Sequence, residues 1–460
     1  MQRRKTTYKL YPNAKQTLLL GELLRQHKDL WNAALEERID AWRKLRKSIS
    51  YEDQCASLTK IRQELPDDWA QANCSAQQVT LRRLDKAFKA FFARCAKGQT
   101  PGFPRFKSIA RMPGIGFKGH GDGLRFAPNE ANPGPDGRGR PDDFGVTRWM
   151  KHGTLRLQGV GHIKVRGEAR AGGTIKSCEL LHRYGQWHVS VTVECADEDV
   201  ARTRTASHAM AADWGVSKLL TLVRTDGPHA EVVEIIDNPR WFKTNQERLV
   251  ALDRAVSSKK RGSRNWRKAS ALRAGFKARV ARKRLDFQHK ESARIASQCA
   301  FFATEKLSIK NVMASAAGTA EEPGKNVAQK SGLNREIGDT GGAALFMKIA
   351  YKVQETGMRL HEQPRGKYFE APTRRLKPSQ RCPACDAVVK KALCERVHRC
   401  GACGYTEDRD IASARIVLRW LIGTLSDDEV ENVLEVPGRN CPGGQSHETA
   451  SNLHARIGGR

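Results

Sequence analysis

The sequence predicts an α/β multidomain chain in which helices come first, a small β-barrel follows, and a larger α/β domain carries a four-cysteine metal module. Three observations support this. Leu18, Leu19, Leu23, Leu24, Leu30, Trp31 and Leu35 recur at helical spacing in the first part of the chain. Short alternating runs punctuated by Gly and Pro begin near residue 102, as in small barrels. Strand-like runs and long helical patterns then alternate from about residue 209 onward, as in an α/β domain.

At 460 residues the chain is long enough for several domains, and 39% apolar residues suffice for real cores. The net charge of +31 exceeds what solubility requires and matches a polyphosphate partner, so nucleic acid is the expected ligand. No run of eighteen apolar residues exists, and Met1-Gln-Arg-Arg-Lys5 leads into no apolar segment, so the expected location is the cytoplasm, with no membrane partner. Twelve cysteines in a reducing compartment point, where closely paired, to metal rather than to disulfides.

In chain order, a short strand at 8–11 ends at Pro12-Asn13, and an amphipathic helical run covers 14–47. A second helical region covers 51–97, with Val79, Leu81, Leu84, Phe88, Phe91 and Phe92 as its apolar face. Barrel strands are expected at 123–126, 154–157, 162–165 and 186–194, around a Gly/Pro-rich insertion at 131–143. A meander at 209–213, 219–224 and 232–236 opens the α/β domain. A basic helical run (239–298), a strand (301–309), a polar loop (313–339), a helix (343–356), a strand (359–363), the cysteine module and a helix (411–421) complete it. The composition from Gly423 onward predicts a disordered tail.

Asp213 ends an apolar strand before Trp214-Gly215, Glu305 ends the run Phe301-Phe-Ala-Thr-Glu305, and Asp410 opens the last helix. Acids facing an apolar interior are costly unless something binds them, and an all-oxygen set suits a hard ion such as Mg²⁺. Each has a plainer reading: Asp410 as a helix N-cap, Asp213 as a turn acid, Glu305 as a surface residue.

Cys382-Pro-Ala-Cys385 and Cys400-Gly-Ala-Cys403 are two CxxC knuckles fourteen residues apart, a spacing that presents four thiolates to one structural Zn²⁺. Cys394 and His398 lie between them and could replace a ligand, though two complete knuckles make that unnecessary. Between Arg254 and Lys290 basic residues crowd the chain and Asp286 is the only acid. Lys259, Lys260, Arg261, Arg264, Arg267 and Lys268 in this run are candidate phosphate contacts.

With acids, knuckles and basic run in this order, the chain resembles the TnpB family of transposon-encoded RNA-guided nucleases and the related compact type V CRISPR effectors. Gly102-Phe-Pro-Arg-Phe-Lys-Ser108 is similar to that family's Gly-aromatic-Pro-Arg-Phe-Lys signature, and Arg284-Leu-Asp-Phe-Gln-His-Lys290 to its Arg-x-Asp-Phe-x-His-Lys motif. Gly324-Lys-Asn-Val327, Ser331-Gly-Leu-Asn-Arg335 and Pro378-Ser-Gln-Arg-Cys382 resemble further family segments. The chain departs where the family follows its third acid with x-Asn-Ala-Ala, since Ile411-Ala-Ser-Ala414 stands here.

The resemblance implies an RNase H-like (RuvC) nuclease domain with an inserted zinc ribbon, and an N-terminal wedge β-barrel carrying a helical recognition domain. By residue, it implies a first wedge strand (1–13), helical recognition (14–99), wedge (100–205), RuvC (206–380), zinc ribbon (381–404), a final RuvC segment (405–422) and a tail (423–460). Asp213, Glu305 and Asp410 then match the RuvC acids, which would hold two Mg²⁺ ions, with Mn²⁺ able to substitute. Arg105, Lys107, Arg284, His289 and Lys290 become candidate nucleic-acid contacts. The implied partners are guide RNA and double-stranded target DNA. Three readings compete: a guided nuclease, a guided DNA-binding repressor without efficient cleavage, and a transposase.

Overall fold

The computed structural model describes residues 2–129, 150–169, 173–195, 208–227, 230–318, 321–355, 366–392 and 395–434. The chain forms two compact units, Met1–Val200 and Ala201–Arg460.

In the first unit, strand β1 (Gln2–Tyr11) is followed by helices α1 (Ala14–Leu45), α2 (Tyr51–Glu64) and α3 (Cys74–Ala96). Strands β2 (Ile115–Phe117), β3 (Leu124–Asn129), β4 (Met150–Leu157), β5 (Gly161–Ala169), β6 (Thr174–Arg183) and β7 (Gln186–Cys195) come next. Asn13 starts α1 by accepting from the Gln16 amide while the Gln16 side chain accepts from the Asn13 amide, so two otherwise orphaned donors are satisfied. The helices bury Leu30, Trp31, Leu35, Leu58, Leu81, Leu84 and Phe88 together. Leu18 stays outside, 76% exposed, because the buried stripe passes through Leu20 and Leu24 instead.

The seven strands pair antiparallel in the order β2-β6-β7-β1-β5-β4-β3. The sheet curls back on itself, bringing Tyr8 of β1 and Phe126 of β3 to 4.8 Å between ring centroids. Arg83 ties α3 to this sheet, donating to the Gly114 carbonyl at 2.7 Å and to Glu179 at 2.6 Å. β1 is longer than the expected 8–11 strand because Gln2–Lys9 pairs residue for residue with β7. The Gly/Pro-rich insertion at 131–143 lies outside the described residues.

In the second unit, β8 (His208–Trp214), β9 (Lys218–Thr225) and β10 (Glu231–Asp237) form the expected meander. Helices α4 (Gln246–Ser257) and α5 (Arg264–Gln298) follow, then β11 (Cys299–Glu305), α6 (Val327–Thr340), α7 (Gly342–Glu355) and β12 (Lys367–Ala371). The hairpin β13 (Val397–Arg399) and β14 (Thr406–Asp408) leads into α8 (Arg409–Ile422) and α9 (Asp427–Leu434).

Strand order is β10-β9-β8-β11-β12, with β11 parallel to both β8 and β12. Strand alternation divides the core. Ala209, Ala211, Phe301 and Ala303 pack against Val417, Leu418 and Leu421 of α8, whereas Met210, Ala212 and Phe302 pack against Ile295 of α5 and Leu345, Ile349 and Val353 of α7.

Several sequence expectations are corrected here. The basic run divides into α4 and α5, with Gly262 between them in the left-handed region at φ 87°. The strand expected at 301–309 stops at Glu305, and Ile309–Val312 is a helical turn. The supposed loop 313–339 contains α6, whose Ile337 is buried and whose Asp339 carboxylate accepts from the Phe242 and Lys243 amides. The strand expected at 359–363 lies outside the described residues, and β12 lies just beyond it in sequence. The segment after Gly423 is not wholly irregular, because Leu425 and Val430 join the α8 core and α9 forms there.

The first unit makes a pH prediction. His27 is buried with Nδ1 2.7 Å from Thr80 Oγ1, and burial, reinforced by the nearby Arg83 charge, holds the imidazole down at about 4. Its folded value lies below the unfolded one, so between about pH 6.5 and 4 the unfolded chain binds a proton that the folded chain refuses. Stability is therefore lost as pH falls through that window, at a rate approaching about 1.4 kcal/mol per pH unit. Thermal unfolding at pH 7.5 and 5.5 should show a larger drop in midpoint for the wild type than for His27→Gln, and equal drops would contradict this.

Candidate functional site

Asp213 and Glu305 sit at the ends of adjacent parallel strands, where β8 and β11 run in register through Ala212 and Thr304. Both follow the parity of Ala211 and Ala303, the residues that face α8. Asp410 lies in the first turn of α8. It is not the N-cap, because Asp408 takes that role, accepting from the Asp410 amide at 2.9 Å and the Ile411 amide at 3.4 Å. Asp408 is in turn held by Lys218 at 2.7 Å.

Sequence reasoning missed Ser413. Its buried hydroxyl lies 3.0 Å from Asp213 Oδ1 and 3.4 Å from Glu305 Oε1, so one side chain bridges two acids. The signal was present, since Ser413 stands three residues after Asp410 and shares its helix face. It also stands where the resembled family carries alanine, next to an Ala412 in place of asparagine.

Burial, with the charges of Glu305 and Asp410 adding to it, pushes the Asp213 carboxyl well above the ordinary carboxylate range. Burial raises Glu305 too, against the opposing pull of Ser413 and Arg409. None of the three acids forms an ion pair with a described Lys or Arg. An all-oxygen acidic cluster without an ion-pair partner fits a hard divalent cation.

The four cysteines form a tighter group. Cys382 and Cys403 Sγ are 3.7 Å apart, Cys385 and Cys400 Sγ 3.5 Å, and all four sulfurs lie within 4.8 Å of one another. Among the described residues no other set of three or more His, Cys, Asp or Glu closes this tightly, so the three carboxylates are more widely spaced. Backbone amides aim at the sulfurs: the Cys403 N–H, followed by that of Ala402, pulls the Cys400 thiol down to about 6. This donor set suits a structural thiophilic ion such as zinc. His398 packs against Tyr405 and contacts Lys391 through Nδ1. Cys394 lies outside the described residues.

Helix α8 joins the two centres. Arg419 donates to the Pro383 carbonyl at 2.6 Å in the first knuckle, and Arg409 donates to the carbonyls of Ala392 at 3.1 Å and Glu395 at 3.3 Å.

The candidate nucleic-acid residues divide by their contacts. Lys260, Arg261, Arg264, Arg267 and Lys268 are exposed and form no ion pair with a described residue, and Lys259 bonds the Ala255 carbonyl. Lys290 pairs with Asp286 at 2.8 Å, and His289 is exposed. Arg284 is committed inward, donating to the carbonyls of Gly338 at 3.0 Å and Asp339 at 3.2 Å. In the first unit Arg105 is exposed, whereas the Lys107 ammonium lies 3.2 Å from the Trp31 ring centroid and burial lowers it to about 8.

Removing the bridging hydroxyl should be measurable. Ser413→Ala leaves two carboxyls without their donor and should cost about 1–2 kcal/mol, seen as a lower unfolding midpoint in metal-free buffer; an unchanged midpoint would count against the bridge.

A family model described as "Probable transposase" (OrfB_IS605) matches residues 188–316, and the Cas12f1-like TNB domain model matches residues 343–417. The first span holds Asp213 and Glu305, the second the four cysteines and Asp410. The chain is 27% identical over 413 residues to InsQ of Escherichia coli (strain K12), which bears the name of an RNA-guided DNA endonuclease; the match covers 89% of this chain and 90% of that protein. It is also 27% identical over 420 residues to a Streptomyces pristinaespiralis protein bearing the same kind of name, covering 89% and 87%. A solved structure of the mini-RNA-guided endonuclease CRISPR-Cas_phi3 matches at a TM-score of 0.50 with 8% identity, over 91% of this chain and 92% of that one, a likeness of fold alone. These matches carry the acids and the knuckles in their expected order, and they show the chain to be similar, over most of its length, to proteins named as RNA-guided DNA endonucleases.

Proposed function

We propose that this protein is an RNA-guided DNA endonuclease that cuts target DNA with one carboxylate centre after guide and target have paired. The observation that carries the reading is the convergence of Asp213, Glu305 and Asp410, none of them in an ion pair with a described Lys or Arg, in a chain whose net charge is +31. In this reading the second unit is RNase H-like, its β10-β9-β8-β11-β12 order being a meander extended by parallel strands. The helices at 14–99 serve recognition, the first strand with 100–205 forms the wedge, 206–380 and 405–422 form the nuclease, and 381–404 is the zinc ribbon.

Asp213, Glu305 and Asp410 would hold two Mg²⁺ ions, for which Mn²⁺ can substitute. Bound there, such a pair supplies activation of a water and stabilisation of the leaving oxygen. Ser413 orients two of the ligands. The cysteines would hold one Zn²⁺ with no coordination position left for chemistry. Exposed Lys260, Arg261, Arg264, Arg267 and Lys268 would bind backbone phosphates, with Lys259, Arg284, His289 and Lys290 in the same stretch of chain supporting them; in the first unit Arg105 and Lys107 are separate candidate contacts. Phosphate contacts position the duplex, and the guide reads the sequence.

A second reading, a guided binder that represses by occupancy, rests on Ala412, where the resembled family carries asparagine. The cysteine module between the second and third acids weighs against a transposase. Cleavage of a plasmid with a guide-matched site, run with wild type and Asp213→Ala, separates the first two. Wild type should cut with Mg²⁺, and the variant should lose at least about a thousand-fold in rate while binding within a few-fold. Equal background cutting by both, with tight target binding, would select the repressor.

A further inference from the structure

Glu305 also lines a cavity of about 370 Å³ whose other walls include Trp214, Phe346, Met347, Tyr368 and Glu370. Trp214 follows Asp213 on β8 but has the opposite parity, so the aromatic wall and the first acid leave the same strand end toward opposite faces. The indole is fixed in place. A Cβ at Gly342 would stand 2.6 Å from its Cε2 and Nε1, so α7 approaches this closely only because residue 342 lacks one. Tyr368 is braced from behind by Phe302, with ring centroids 5.8 Å apart and planes 12° from parallel. Met347 is 67% exposed.

The cavity therefore offers rigid apolar faces with the Glu370 carboxyl among its lining, while the Glu305 carboxyl at its rim is held by Ser413. A carboxyl disfavours a phosphate, and the exposed Glu370 offers an acceptor that a purely apolar occupant would not use. A nucleobase meets both demands, having a π-face for the aromatic walls and amino N–H groups for a carboxylate.

We propose that this cavity receives one unpaired nucleobase of the DNA strand whose phosphate lies at the carboxylate centre, stacked on Trp214 and donating an amino N–H to Glu370. The proposal rests on the endonuclease reading for the identity of the strand and adds a base subsite to it. It implies a preference for adenine, cytosine or guanine over thymine at one position beside the cut, and a requirement that this base be out of the duplex.

The test uses the full-length protein with its copurifying RNA and a single-stranded DNA in which 2-aminopurine, whose fluorescence falls on stacking, is moved one position at a time. Calcium replaces magnesium for the fluorescence arm. Wild type at saturating strand should quench the probe several-fold at one position. Trp214→Leu should lose most of that quench, and so should Met347→Asp, which alters an exposed residue and spares the core. Both should keep overall strand affinity within about ten-fold, the worth of one stacked base, because the basic helix is untouched. No quench in wild type, or equal quenching by the variants, would overturn the subsite. Cleavage of the same strand in Mg²⁺ is scored separately: quenching without cutting sinks the endonuclease reading and spares the subsite, and cutting without quenching does the reverse.

Discussion

One hydroxyl, that of Ser413, stands between two carboxyl groups that burial and mutual repulsion work to drive apart. Asp213 and Glu305 arrive on neighbouring parallel strands, and Asp410 comes from the helix laid across them. Like charges about 4 Å apart near a protein surface repel by about 4 kcal/mol at an effective dielectric of about 20, and more widely spaced ones by less. The sheet tolerates this because each acid continues an apolar strand or helix whose packing is already complete. Ala209, Ala211, Phe301 and Ala303 on the strands and Val417, Leu418 and Leu421 on α8 fix the geometry of the elements that carry the acids.

The position of α8 thus sets the position of the third acid, and the cysteine module holds α8. Arg419 reaches the first knuckle, Arg409 reaches the loop leading to the second, and Asp408 caps the helix while pairing with Lys218 of β9. Stapling the knuckles with a metal would therefore do more than stabilise a surface lobe. It would brace the N-terminal turn of the helix that presents Asp410 and Ser413.

Much of this was legible in the residues. The meander at β8 to β10, the strand β11, the knuckles and the order of the acids follow from strong local patterns: apolar runs ended by an acid, and CxxC pairs. What stayed hidden depended on tertiary contact. Helix α6 reads as a loop because Gly332, Ser331 and Asn334 depress its local propensity, yet Ile337 and Asp339 are claimed by neighbouring elements. Helix α9 lies in a segment with a polar, Gly-rich composition, and Leu425 and Val430, with the Glu429–Lys367 ion pair, tie it to the rest of the domain. Arg284 reads as one more phosphate contact in a basic run, although its guanidinium is spent on the carbonyls at the end of α6. Ser413 looks like a small helix residue until Asp213 and Glu305 are brought beside it.

If the site is held in a state that only a bound cation relieves, metal should stabilise the fold and removing one acid should do part of the same work. Thermal unfolding of the zinc-loaded protein with and without added Mg²⁺ tests this for wild type and Asp213→Asn, since a ligand of the native state raises its stability by mass action. The account predicts that Mg²⁺ raises the wild-type midpoint, while Asp213→Asn unfolds at a higher temperature than wild type in magnesium-free buffer and gains little from the ion. A variant that unfolds earlier than wild type without magnesium, or that gains as much from it, would contradict the account.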